Sequence, residues 1–322
     1  MNGITGRELR SQPAARPCCR LSDFRPPQLS NLSPPLTIDR IAEWLERSTR
    51  VLIGAGAGLS VTAGLDYTDE ESFARHYPGL RRRGFRACYE LIGRHDLPGP
   101  LFWGYWAVHV KLARFTPHVA PVYEALYRIC ADKDVFVMTS NVEGLFTRHG
   151  FEADRIWPRQ GDFAHMHCTE RRLPSCAELV WPSEPIVQRV LEHLDPITQE
   201  VDPAAVPMCP ACGGSVFFNV REDATFVEAP YLEQGERCIA WIESAMREPL
   251  LILEIGAGFN TPSVVRYPLE RIAAKHADAR FVRINLEHPT VPASLGDRGL
   301  GIAGDAGEVV ASMWEAFTKS SA

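Results

Sequence analysis

Val51-Leu-Ile-Gly-Ala-Gly-Ala-Gly-Leu-Ser60, continued by Val61-Thr-Ala-Gly-Leu-Asp-Tyr67, is the stretch from which the fold is read. The apolar triplet Val51 to Ile53 has the character of a strand buried on both faces, as in a parallel sheet. The glycines after it permit a tight turn with no Cβ to keep a ligand off the backbone. If a helix starts near Ser60, its first N–H groups face whatever lies at the turn, and a pyrophosphate suits that position electrostatically. A dinucleotide-type site is therefore expected. A Gly-x-Gly-x-Gly run also serves plain strand-to-helix packing, so the rest of the chain has to decide.

Further along, Val135-Phe-Val-Met138 runs into Thr139-Ser-Asn-Val-Glu143, and Leu250-Leu-Ile-Leu-Glu-Ile255 runs into Gly256-Ala-Gly-Phe-Asn-Thr-Pro262. Phe281-Val-Arg-Ile284 ends in Asn285, and Gly301-Ile-Ala-Gly-Asp305 precedes a last amphipathic helix. Short apolar strands alternating with helices, each strand closing on small or polar residues, specify an α/β fold with a Rossmann-like, doubly wound parallel sheet. The polar strand ends lie where open sheets of this kind bind ligands. Aromatic helical segments predict a helical insertion near residues 70–127. The domain opens with helical spacing from Thr37, through Ile38, Ile41, Trp44 and Leu45. Residues 1–36, with Arg7, Arg10, Arg16, Arg20 and Arg25 and no apolar periodicity, read as a disordered extension. Its arginines also fit an organelle-targeting segment, against which stand Glu8, Asp23 and the lack of an amphipathic stripe.

The bulk numbers exclude some classes. Of 322 residues, 45% are hydrophobic, enough for a large core, and 34 basic against 40 acidic residues leave a formal charge of −6. No general basic surface recommends nucleic acid, and no apolar run is long enough for a membrane. Nine cysteines without regular spacing argue for a reducing compartment, cytoplasmic, or mitochondrial if the arginine-rich tail is a leader.

Four of those cysteines cluster. Cys209-Pro-Ala-Cys212-Gly-Gly has the two-residue spacing of a zinc knuckle, while Cys168 and Cys176 have seven residues between them, wider than usual ribbons. His165 and His167 are alternative donors should a cysteine fail to converge. Four thiolates make a closed site, so the metal is expected to be structural zinc in a module spanning residues 161–214, between Rossmann-like parts at 37–160 and 215–322.

In chain order these motifs resemble the sirtuins over most of the length from Thr37. Gly56-Ala-Gly-Leu-Ser60 with Gly64-Leu-Asp-Tyr67 is similar to the sirtuin Gly-Ala-Gly-x-Ser and Gly-Ile-Pro-Asp-Phe elements, Thr139-Ser-Asn-Val-Glu143 to Thr-Gln-Asn-Ile-Asp, and Gly304-Asp-Ala-Gly-Glu-Val309 to the closing Gly-Asp-Ala element. Gly256-Ala-Gly resembles Gly-Thr-Ser, and Ile284-Asn285 the family's Ile-Asn. One departure matters chemically: where deacylating sirtuins carry His-Gly, this chain has Gln160-Gly161-Asp162. An imidazole titrating near pH ~6.5 can serve as a base on ribose hydroxyls. A glutamine amide can only donate and accept hydrogen bonds. The family's Phe-Gly-Glu element is also replaced, by Phe218-Asn-Val-Arg-Glu-Asp223. Gly-Leu-Asp-Tyr, Gln-Gly-Asp, Asn-x-Arg and Gly-x-Gly-Phe-Asn-Thr-Pro together resemble the class M branch of the family.

That resemblance implies NAD-dependent protein ADP-ribosylation, with a lipoyl-carrier protein related to glycine cleavage protein H as acceptor and a macrodomain hydrolase as partner. Asp66, Asn141 and Gln160 become the expected catalytic residues. Asp66 would orient the nicotinamide carboxamide, and Asn141 and Gln160 would hold the ribose. Gly56, Ala57, Gly58, Ser60, Gly64, Tyr67 and Ser140 would line the nucleotide site from one side, and Gly256, Gly258, Asn260, Asn285 and Asp305 from the other. For Asp162, Asn219 and Arg221 two readings stay open, contact with the acceptor or an ion pair of Arg221 with Asp162 or Asp223. Two functions also remain beside transfer: a protein-lysine deacylase with a displaced base such as His165, and a non-catalytic NAD or ADP-ribose sensor.

Overall fold

A computed structural model describes residues 34–320. The tail read above as an extension lies, up to residue 33, outside the described residues. The first helix, Pro34–Arg47, begins three residues before Thr37.

Among the described residues, nine strands form two sheets. Strands β1 (Arg50–Ala55), β2 (Asp134–Thr139), β3 (Ile156–Pro158), β7 (Leu250–Ile255), β8 (Arg280–Ile284) and β9 (Gly299–Ile302) make a six-stranded sheet in the order β3-β2-β1-β7-β8-β9. All its pairings are parallel. The remaining strands β4 (Gly161–Cys168), β5 (Val180–Pro182) and β6 (Val216–Val220) make an antiparallel sheet in the order β5-β4-β6. In the large sheet the chain winds outward from β1 to β3 and then restarts at β7 on β1's other side. The switch point therefore falls between β1 and β7, whose carboxyl ends carry the two glycine turns.

The parallel sheet is buried on both faces because its strand residues alternate between two apolar layers. Val51 and Ile53 pack with Trp44 of the first helix, Tyr123 and Leu126 of the helix Pro121–Ile129, and Val310 and Met313 of the helix Ala306–Ser320. Leu52, Phe136 and Met138 face the other way, onto Trp241 of Leu232–Ala245 and Leu269 of Arg266–Lys275. Two boundaries differ from the sequence reading. The helix Pro121–Ile129 belongs to the layer over the large sheet, so the insertion stops before it. The zinc-bearing module runs past residue 214, since β6 pairs with β4. Its small sheet shares one core with the insertion, in which Trp103, Trp106 and Val110 meet Phe163, Met166, Phe217 and Phe218. Aromatic rings too large to bury within either short segment are buried between the two. No helix among the described residues is long and apolar enough to cross a membrane.

Candidate functional site

The glycine turn after β1 leads into a helix of only five residues, Ala57–Val61, capped by Gly56 in extended conformation with no side-chain cap. Its glycines do something the sequence did not suggest. The Gly56 amide donates to the Ile255 carbonyl at 3.0 Å and the Gly58 amide to the Gly256 carbonyl at 3.1 Å, so neither waits for a phosphate. What these glycines permit is contact between backbones: a Cβ on Gly56 would lie 2.6 Å from the Ala257 Cα, and one on Gly256, where φ is +66°, would lie 2.4 Å from the Leu59 nitrogen.

The two turns form the floor of a cleft of about 440 Å³. Gly56, Ala57, Gly58, Asp66 and Ser140 line it from the β1 and β2 side, and Gly256, Gly258, Asn260, Asn285 and Asp305 from the β7 to β9 side. Most of the expected nucleotide residues are thus brought together. Asn285 ties the far wall, its Nδ2 donating to the Ala257 carbonyl at 3.0 Å while its Oδ1 accepts from the amides of Glu287 and His288. Asp305 caps the last helix through the amides of Gly307 and Glu308. Asp66 lines the cleft but also closes a local turn, its Oδ1 accepting from the Thr68 amide at 2.8 Å and hydroxyl at 2.7 Å.

Ser60, Gly64, Tyr67, Asn141 and Gln160 lie outside that lining. Gly64 turns the chain with φ at +80°. Ser60 is buried, and its hydroxyl donates to Glu143 at 2.8 Å. Asn141, also buried, donates from Nδ2 to the Gly56 carbonyl at 3.1 Å and so pins the glycine turn to the β2 loop. Gln160 occupies the turn from β3 to β4. The preceding Arg159 amide bonds Thr139, and the Phe163 amide bonds Val142, which brings Gln160 up against the loop that holds Asn141. The Gln160 side-chain Oε1 is buried without a hydrogen-bond partner. Gly161 after it has φ at +90°, and a Cβ there would collide with the Asn219 carbonyl, so only glycine fits.

Glu143 was missed as a site residue. It is 3% exposed, accepts from Ser60 and from the Tyr123 hydroxyl at 3.5 Å, and burial raises its pKa. The signal was its place two residues after Asn141. Also unread was a buried charge network behind the far wall. Arg283 binds Glu254 with two contacts of 2.7 Å, and Arg266 donates to the carbonyls of Ala257 at 3.1 Å and His288 at 3.0 Å, joining the two loops that frame the cleft.

Of the two readings of Asp162, Asn219 and Arg221, the ion pair of Arg221 with Asp162 or Asp223 is not formed. Asp162 pairs with Arg114 at 2.7 Å, and Asn219 bonds both backbone groups of Val227. Arg221 pairs with neither Asp162 nor Asp223 but with Glu228, at 2.6 Å.

The four cysteines converge. Their Sγ atoms lie within 4.8 Å of one another, with Cys168 to Cys212 at 3.6 Å and Cys176 to Cys209 at 3.7 Å. A regular tetrahedron with metal–sulfur bonds of ~2.3 Å has edges of ~3.8 Å, so the cage fits zinc. The seven-residue loop reaches because the turn Pro174–Cys176 folds it back. His165 and His167 take no part: His167 bonds the Thr225 hydroxyl at 2.9 Å, and His165 faces that of Tyr231 at 3.5 Å.

One imidazole sits at the heart of the small core. His109 is 4% exposed between Tyr67, Tyr105, Trp106 and Phe163, and burial lowers its pKa to about 4. The folded protein refuses a proton that the unfolded chain takes up below the ordinary imidazole value of 6.5, so stability is lost as pH falls from 6.5 to about 4. Across that range the loss amounts to about 3 kcal/mol. Denaturant titrations at several pH values should show a smaller acid loss in His109→Gln than in the parent; equal losses would refute a buried neutral imidazole.

No family model matches the chain. It is 33% identical over 295 residues to a probable bifunctional ADP-ribose hydrolase/ADP-ribosyltransferase of Fusarium oxysporum f. sp. cubense, covering 88% of this chain but 48% of that relative. It is 22% identical over 266 residues to a protein ADP-ribosyltransferase of Staphylococcus aureus, covering 81% of this chain and 82% of the relative. Among solved structures, a Sir2 homologue in complex with NAD superposes with a TM-score of 0.56 at 18% identity, over 88% of this chain and 95% of the other. A Sir2 enzyme from work on Sir2 mechanism and regulation superposes with a TM-score of 0.54 at 20% identity, over 88% and 98%. The six-stranded parallel sheet, with its glycine turns at the switch point, thus has the fold of the Sir2 enzymes.

Proposed function

We propose that the chain is an NAD-dependent protein mono-ADP-ribosyltransferase, moving ADP-ribose from NAD to a protein acceptor with release of nicotinamide. The observation that carries this reading is Gln160, whose buried Oε1 has no partner and stands beside the Asn141 loop. An acceptor oxygen left unpaired in a protein interior is unfavourable unless a ligand completes it, and a ribose hydroxyl is such a donor. The cleft over the two glycine turns, at the carboxyl ends of parallel strands, supports a nucleotide there. The names of the fungal and staphylococcal relatives favour transfer over other uses of NAD.

In this reading Asn141 and Gln160 border the ribose, Asp66 faces the nicotinamide end, and the residues of the far wall hold the adenosine half. Cleavage of the nicotinamide–ribose bond passes through a cationic sugar that a neutral amide oxygen stabilises without removing a proton. A base-driven deacylation gains no support, since burial lowers the pKa of both His109 and His167 to about 4 and His165 faces Tyr231. We infer a lipoyl-carrier protein as acceptor and a macrodomain hydrolase as partner; the hydrolase named in the fungal relative supports the second.

The test is incubation with labelled NAD, a lipoylated carrier and an acyl-lysine peptide. Label on the carrier supports transfer, acyl loss without label supports deacylation, and binding without turnover supports a sensor. Gln160→Ala is expected to lower the transfer rate about 10- to 100-fold, the worth of one buried hydrogen bond to a developing charge. A Gln160→Ala enzyme that transferred label at the parent rate would remove the residue from the mechanism.

A further inference from the structure

We propose that the pocket between Arg159 and Arg221 docks an acidic segment, rich in Asp or Glu side chains, of the protein acceptor. That the partner is an acceptor rests on the transferase reading; the preference for acid rests on the pocket itself.

The pocket measures about 310 Å³ and is lined by Trp157, Arg159, Arg221, Phe226, Tyr231 and Ser263 among others. None of these six lines the nucleotide cleft. It nevertheless adjoins Gln160: Arg159 precedes that residue in the chain, and the Arg221 amide donates to its carbonyl at 2.8 Å. A segment held here lies next to the residue assigned to the ribose.

Both guanidiniums are fixed in place. Arg159 lies over the Trp157 ring at 4.5 Å and donates to the Val264 carbonyl, while Arg221 lies over Phe226 at 4.4 Å and donates to the Arg159 carbonyl at 3.3 Å. Arg159 enters no ion pair among the described residues, and Arg221 enters one, with Glu228. Two cations thus stand in a pocket whose one lining carboxylate, Glu228, pairs only with Arg221. Burial, and then the positive charge of Arg221, hold the Arg159 pKa below the usual arginine value. A site that keeps like charges together in partly dry surroundings is relieved by an incoming anion. Planar guanidiniums stacked on rings suit carboxylates, which they bind through two donors at once. With its side chain 41% exposed, Arg221 is open to a partner.

The probe is a fluorescein-labelled Gly-Asp-Glu-Asp-Glu-Gly peptide, compared with its amide counterpart Gly-Asn-Gln-Asn-Gln-Gly by fluorescence anisotropy at low salt. The acidic peptide should bind more tightly and lose affinity as salt rises. Arg221→Ala should weaken binding about tenfold, Arg221→Lys less, and Glu228→Gln should strengthen it by freeing Arg221. Thermal midpoints of the variants report their folding. Equal affinity for the two peptides, or an acidic-peptide Kd unmoved by both Arg221→Ala and Glu228→Gln, overturns the proposal. Peptide binding needs no turnover. A protein that binds the acidic peptide through Arg221 yet transfers no label keeps the docking surface and loses the transferase reading.

Discussion

Stripping the metal with a chelator, or replacing Cys209 by serine, is expected to unfold the small module and abolish label transfer while the six-stranded sheet stays folded. The four cysteines are part of the same core as Trp103, Trp106, Phe217 and Phe218, so the metal closes the loops around that core as well as its own cage. Without it, four sulfurs packed within 4.8 Å lose the cation that holds them. Structural zinc contributes roughly 10–16 kcal/mol of apparent binding energy in finger peptides, and a third of that already rivals the ~5–15 kcal/mol that holds a whole domain. Since β4 starts directly after Gln160, loss of the module also releases the amide assigned to the ribose. The large sheet shares no strand with the small one, so a chelated sample should keep one melting step, that of the six-stranded sheet. Metal content by mass spectrometry, thermal melting and label transfer read the three effects. Cys238→Ala, at a buried thiol outside the cage, should keep its metal. Full transfer by metal-free protein would show that the module folds without zinc.

The strands whose apolar runs stand alone, β1, β2, β7 and β8, were legible because both faces of a parallel strand must be apolar. Strands β3 and β9 were not: Ile156-Trp-Pro158 and Gly299-Leu-Gly-Ile302 lack such a run, and their conformation comes from parallel pairing with β2 and β8. The same division holds in the site. Asn141, Gln160 and the cysteines announce themselves by local motif. The burial of the Glu143 carboxyl does not, since its environment is made by Ser60 and Tyr123, far away in the chain. Nor do Arg266, Arg283 and Glu254, whose charges would each count as surface residues until the sheet places them against one another. The merging of the insertion with the zinc module was equally hidden, because it depends on which aromatic faces meet in space.

Gly256→Ala is the substitution expected to damage nucleotide binding most. The new methyl would lie 2.4 Å from the Leu59 nitrogen and 2.6 Å from the Gly58 carbonyl carbon, both backbone atoms that no rotamer change can move aside. A left-handed φ of +66° adds its own penalty for a residue with a Cβ, so the sum of backbone strain at ~1–2 kcal/mol and overpacking at ~1–3 kcal/mol is about 2–5 kcal/mol. Relief comes only by parting the two turns, which breaks the bond from the Gly58 amide to the Gly256 carbonyl and widens the floor of the cleft. NAD affinity should then fall by about ten- to a hundredfold, as 1.4 kcal/mol is worth a factor of ten. Two glycines in the same motifs separate this from a general loss of stability. Gly258→Ala meets nothing within 4 Å and should behave as the parent, whereas Gly64→Ala suffers only the strain of its φ at +80° and should lower the melting point more than the affinity. Calorimetric titration with NAD beside thermal melting distinguishes them. If Gly256→Ala binds NAD as tightly as Gly258→Ala, the two turns do not set the width of the cleft, and the glycines serve only the packing of strand against helix.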